Sequence, residues 1–237
     1  MALVKYGAGI VQMSGSIAGD VHARNRFGNY KRPRTKPVNP KSPRQTAART
    51  VMMYLAEQWR ESPMTTVIRD AWQTYADSVN WNNRLGEQVT LTGFNMFIRG
   101  NAALANIGAD IIYAGPTDLG LPAGDPAMVV SNVSEAAQQF DLAFDDGFDW
   151  CAEDDAYMIM YQGKPVSASH NFFGGPFRRC AFIAGDTAVP TVSPKPGLPN
   201  IGFPILEGQK IWWEAAIVRA DGRISTRFRC PPTIAVA

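Results

Sequence analysis

Between Ala23 and Arg49 the chain reads ARNRFGNYKRPRTKPVNPKSPRQTAAR, a basic stretch punctuated by Pro33, Pro37, Pro40 and Pro43. Proline fixes φ and drives the residue before it into extended geometry, so Arg32, Lys36, Asn39 and Ser42 are expected to be extended. The stretch is too polar to supply a core and leaves most of its backbone groups without partners of its own. It reads as an arm that takes its shape by lying on another surface, with Arg24, Arg26, Tyr30, Lys31, Arg32, Arg34, Lys36 and Asn39 as contact residues.

Charge sharpens that reading. Residues 1–50 hold ten Lys or Arg against the single acid Asp20, a net +9, and the remaining 187 residues hold 13 bases against 20 acids, a net −7. A basic end on an acidic body points to nucleic acid or to the acidic body of another copy as the arm's partner. The densest acidic run, with Asp145, Asp146, Asp149, Glu153 and Asp154, reads first as a solvated strand-end and loop cluster, and in the sharper alternative as a docking surface for the arm. Aligning Gly147 with the glycine of an EF-hand loop puts Leu142 and Phe144 where oxygen ligands are required, so the run is not such a loop.

Around the arm the chain divides into modules. Residues 1–42 comprise a glycine-rich start followed by the arm. Gly7, Gly9, Gly15 and Gly19 precede no Gly-Lys-Ser/Thr and are read as turns, not a phosphate loop. Residues 43–105 form a small three-helix cluster. Ser42-Pro43-Arg44-Gln45 opens the first helix as a capping box, Ala48, Met52, Leu55 and Trp59 form its apolar stripe, and Ser62-Pro63 stops it. Ile68, Trp72, Tyr75 and Val79 stripe the second, which predicts an antiparallel hairpin packed Trp on Trp. A third helix runs from Gly93 to about Ala105, with Asn95, Arg99 and Asn101 off its apolar face.

Residues 106–126, rich in Gly and Pro, are expected to be a linker. Residues 127–237 then show short strands at Met128–Val133, Gln139–Phe144, Ala156–Tyr161, Phe177–Ile183, Lys210–Arg219 and Ile224–Arg229, with an Asp221-Gly222 hairpin and a long loop over 189–204 that reaches toward a neighbour. The strand at 156–161 is apolar on both faces and is expected to be central. The fold class is therefore α+β: an extended N-terminal arm, a three-helix cluster and a C-terminal antiparallel β-sandwich.

Catalytic and cofactor chemistry has little to stand on. His22 and His170 fall in different modules, no His or Cys spacing suits a metal, and no nucleophile elbow surrounds Ser169. The expectation is no enzyme, no cofactor and no metal site. Cys151, Cys180 and Cys230 are odd in number and widely spaced, which predicts buried free thiols. The opening residues lack a signal-peptide core and no run approaches a membrane span of ~18 apolar residues.

Gly15–Gly19, Ala23–Tyr30 and Arg32–Asn39-Pro40, followed by Gln45, Arg49, Trp59, Ala71-Trp72, Tyr75-Ala76 and Leu91–Phe94, together resemble the opening of a family of uncharacterised proteins of tailed bacteriophages and prophages. The C-terminal part resembles a fibronectin type III or immunoglobulin-like sandwich in a general way. The resemblance implies a virion structural protein, assembled in the host bacterial cytoplasm, whose partners are further copies of itself and other virion proteins. A capsid decoration or cement role leads, and a tail or head–tail connector component follows. A nucleic-acid-binding protein using the arm is the reading from another class. A glycan-binding β domain using Trp150, Trp212 and Trp213 as stacking platforms is a third.

Overall fold

The computed structural model describes residues 2–61 and 63–237; Ser62, half of the expected Ser62-Pro63 stop, lies outside them. The fold is α+β, with three helices and several antiparallel sheets.

The N-terminal stretch is not the simple extended arm expected. Strands β1 (Ala2–Leu3), β2 (Gly15–Ile17), β3 (Asp20–Asn25) and β4 (Gly28–Pro33) form a four-stranded antiparallel sheet in the order β1-β4-β3-β2. Its local cause is turn chemistry. Asn25 closes a side-chain turn by accepting the Phe27 amide at 2.9 Å, and Gly28 takes φ 115°, open to a glycine and hostile to other residues. The chain folds back there, so Ala23 pairs with Tyr30 and Arg24 with Asn29. Only residues 34–42 remain outside regular structure, and all but Ser42 are exposed.

Helix α1 (Pro43–Gln58) starts at Ser42, whose hydroxyl accepts the Gln45 amide at 3.4 Å. Helix α2 (Thr66–Ser78) is capped by Thr65, and α3 (Gly93–Ile107) by Thr92. A short hairpin of β5 (Trp81–Asn82) and β6 (Gln88–Val89) joins the last two helices. The predicted Trp-on-Trp hairpin does not form. Phe97 of α3 stands between the two indoles, with ring centroids 5.2 Å from Trp59 and 5.7 Å from Trp72. The most apolar helix takes the centre, and Gly93 admits it: a Cβ there would sit 2.6 Å from the Gln73 backbone nitrogen. In consequence only the C-terminal half of α1 is packed. Leu55 is buried and Trp59 half-buried, whereas Ala48 and Met52 of the expected stripe are exposed.

Beyond α3, residues 108–128 contain no helix or strand, yet they are held like a strap. The Trp72 indole N–H donates to the Tyr113 carbonyl at 2.8 Å, Asn101 holds both backbone groups of Ile112, and Arg223 donates to the Gly120 carbonyl.

The β body follows. Strands β7 (Val129–Ser134), β8 (Gln139–Ala143) and β12 (Lys195–Pro199) form one sheet in the order β12-β8-β7. Strands β9 (Tyr157–Gly163), β10 (Val166–Ser167), β11 (Phe177–Ala184), β13 (Gln209–Val218) and β14 (Phe228–Ile234) form the other, in the order β10-β13-β9-β11 with β14 on the free side of β13. The two sheets share one core, in which Phe140 and Trp213 meet at 4.7 Å. The corners are stitched: Val236 bonds across to Val133 and Glu135, and the Ile201 amide donates to the Cys180 carbonyl.

The central position expected for the Met-rich strand is what β9 adopts, between β11 and β13. Two features differ from expectation. The 189–204 segment does not reach outward; its middle is β12, paired with β8. The last strand begins at Phe228 instead of Ile224. The turn closes at Asp221-Gly222 as expected, but Ile224 makes only an isolated bridge to Val218, and pairing resumes with Phe228 opposite Ala215.

Helix α3 is common to both halves. Ala103 and Leu104 pack with Ile159, Ala216, Val218 and Ile224 on the outer face of the five-stranded sheet. Contact is closest at Gly100, where a Cβ would lie 2.1 Å from the Gly222 carbonyl oxygen. A mid-helix Gly→Ala change ordinarily stabilises; Gly100→Ala is predicted instead to destabilise by about 1–3 kcal/mol through overpacking, measured by denaturant unfolding.

Candidate functional site

The residues expected to bind a partner divide between two settings. Arg24 is in β3, Arg26 in the turn after it, and Tyr30, Lys31 and Arg32 in β4, while Arg34, Lys36 and Asn39 lie in the extended segment. All except the half-buried Tyr30 are exposed. Strand register puts Leu3, Tyr30, Ala23, Val21 and Arg32 on one face of the small sheet and Ala2, Lys31, His22, Arg24 and Asp20 on the other.

This sheet has no core. Not one residue from 2 to 50 is buried. Val11 is 93%, Ile17 59% and Val38 88% exposed. Sheets of this size need an apolar face covered to be stable. The sheet's described links to the rest of the chain are polar and few: the Lys5–Glu87 ion pair at 3.0 Å, Arg26 to the Thr90 carbonyl, and Asn83 to the Phe27 carbonyl. Exposed ion pairs of this kind contribute little. Asn39 accepts from Arg49 at 2.9 Å, which lays the extended segment near the free half of α1. Further along the same helix, on the side turned away from α3, Met52, Met53 and Tyr54 are each about half exposed. Extended segment, small sheet and free half-helix together form a continuous stretch without a packing partner in its own subunit.

The acidic run is more occupied than its composition suggests. Asp145 accepts the Gly147 amide, Asp146 the Ser193 amide, and Asp154 the Thr187 amide. Glu153 pairs with the Arg219 guanidinium, which also reaches Asp149 at 3.9 Å. These carboxylates hold the loops at one end of the β body. Among the described residues none of them bonds to the arm.

Among the described residues neither histidine is placed against a serine or cysteine nucleophile. The His22 ring lies 3.1 Å from the Tyr6 hydroxyl, and the Ser167 and Ser169 hydroxyls bond to each other. Among the described residues no three His, Cys, Asp or Glu side chains come together as a metal-binding group, and no helix is long and apolar enough to cross a membrane. The three cysteines are buried and free, as expected. Burial pushes the Cys151 and Cys230 thiols up to about 11, with Asp146, Asp125 and Asp145 adding to the effect at Cys151, and raises Cys180 as well. The stacking-platform reading fails on burial. Trp150 and Trp213 are core residues, and Trp212 is covered by Phe173, stacked at 5.3 Å.

Two side chains expected on a solvated face of α3 are structural. Asn101 is fully buried on Ile112, and Arg99 donates to the carbonyls of Ile224 and Ser225. An arginine cluster on the β body was not anticipated: Arg227 and Arg229 both pair with the buried Glu214. A signal for it exists in the sequence, since an acid inside the apolar run Ile211–Val218 demands cationic partners.

No family model, curated relative or solved structure matches the chain.

Two outcomes follow. With burial holding the thiols protonated, none of the three cysteines should react with a disulfide reagent at pH 8 until the protein is unfolded, when all three should. Deleting residues 1–41, which keeps the Ser42 cap of α1, should leave the unfolding free energy of the remainder unchanged to within about 0.5 kcal/mol, because nothing buried is removed.

Proposed function

We propose that this chain is a structural subunit of a tailed-bacteriophage virion, and that it joins the particle through its N-terminal stretch, on a neighbouring copy or another virion protein. The observation that carries this is the burial pattern: some fifty residues hold an ordered sheet, an extended strap and a half-helix, with nothing covering them. Exposed apolar side chains supply the area to be covered, and the +9 charge of the first fifty residues supplies long-range attraction to an acidic partner. A segment ordered by its partner loses entropy on binding, and a long, many-point contact offsets that loss. The acidic loops around Asp145, Asp146, Asp149, Glu153 and Asp154 of a second copy fit that partner by charge.

The β body is proposed to be a fibronectin type III or immunoglobulin-like sandwich. Its strand orders, β12-β8-β7 against β11-β9-β13-β14, support this: in each sheet the neighbours fall where an A-B-E and C′-C-F-G arrangement puts them. In the particle such a module projects or completes the contact, and the protein carries no catalysis. Capsid decoration is the favoured role, with a tail or connector role next.

Particle mass spectrometry tests the reading. A decoration protein is expected in hundreds of copies per virion and a connector in a small ring number, and in either case removal of residues 1–41 should abolish incorporation of an otherwise folded protein. Absence of the chain from purified particles, or full incorporation of the truncated form, contradicts the proposal.

A further inference from the structure

On the outer face of the five-stranded sheet α3 covers one end and Phe173 covers Trp212, and the strip between them is rich in arginine. Register places Arg179 of β11, Tyr161 of β9, Glu214 of β13 and Arg229 of β14 side by side in one row across four strands. Arg227 stacks over the Tyr161 ring at 4.0 Å and reaches Glu214 at 3.2 Å; Arg229 reaches the same carboxylate at 2.7 Å. Two guanidinium groups thus share one carboxylate, and Arg179 stands two strands away in the same row. Among the described residues Arg179 makes no ion pair.

At the border with α3 a groove of about 350 Å³ opens, lined by Arg99, Arg227, Tyr161, Ala102, Ala103 and Ala216. Its floor is small and apolar, and its rim carries two guanidinium groups. Arg99 is part-buried, holds two backbone carbonyls, lies 4.9 Å from the Trp81 ring, and has no carboxylate among the described residues. Removing a cation from water without an opposite charge is costly, and a second cation on the same cavity adds to the cost. An anion in the groove relieves both.

We propose that this groove and the arginine row beside it form a docking site for an acidic peptide segment of a protein partner. A carboxylate on an aliphatic stem suits both parts of the groove: the stem lies on the alanine floor, and the head meets the guanidinium fork bidentately. Nucleic acid suits it less. The alanine floor offers a phosphodiester nothing, whereas it suits the methylenes of a glutamate side chain. The site is separate from the N-terminal stretch, and the inference does not rest on the virion role.

The test uses the full chain with labelled alanine methyl groups, titrated with hexaglutamate, inorganic phosphate or a short DNA duplex. Hexaglutamate should shift the methyl signals of Ala102, Ala103 and Ala216 saturably. Arg227→Gln, which alters a half-exposed side chain, should weaken this at least about ten-fold, whereas Arg32→Gln/Arg34→Gln in the N-terminal stretch should leave it unchanged. Arg179→Gln provides a second variant, expected to weaken binding by a smaller factor. The proposal is overturned if hexaglutamate leaves those methyls unmoved, or if both arginine variants keep a native spectrum and bind as tightly. Loss of the shifts with the N-terminal variant, or movement of the same methyls by phosphate or DNA at lower concentration, overturns it equally.

Discussion

The seating of α3 on the outer face of β9 and β13 is the contact on which the rest of the structure depends. It is a backbone approach, with Gly100 of the helix against the Gly222 carbonyl, locked by Arg99 on the carbonyls of Ile224 and Ser225. Around it Ala103, Leu104, Ile159, Ala216, Val218 and Ile224 form a small core of their own. The same helix receives Trp59 and Trp72 on either side of Phe97. One helix therefore joins two cores, and the strap at 108–128 runs along a junction that is already made.

Against that rigid body the N-terminal stretch stands apart in physical kind. Its sheet exists because two turns close it, at Ala18-Gly19 and at Asn25–Gly28, and not because a face is buried. Hydrogen bonds alone give a small sheet little net stability in water, since water competes for every one of them. Such an element is poised to gain stability from a surface supplied by something else. The outer side of α1 shares this property, with Met52, Met53 and Tyr54 presented beside the Leu55 and Trp59 that anchor the helix.

Much of this was legible in the residues. The helix starts at Ser42, Thr65 and Thr92 follow from capping chemistry, and the centrality of β9 follows from its being apolar on both faces. What sequence reasoning missed is tertiary. Helical spacing marks Ala48 and Met52 as core, but α3 meets only one side of the second half of that helix, the side of Val51, Leu55 and Trp59. Proline spacing suggested extension from Ala23 onward, although Asn25 and Gly28 carried a turn signal that shortened the arm to residues 34–42. Lys195–Pro199 looked like loop because of its prolines, and an edge position is where a strand tolerates them. The acidic run was read as a free surface; several of its carboxylates are turn and loop caps, a use that leaves no periodic trace.

Hydrogen exchange, compared between the free chain and the chain assembled on a particle, tests the central claim most directly. The account predicts that amides of β2, β3 and β4 exchange far faster than those of β9 and β13 in the free protein, and become protected on assembly together with residues 34–50. Equal, strong protection of the small sheet in the free monomer, unchanged by assembly, would contradict it.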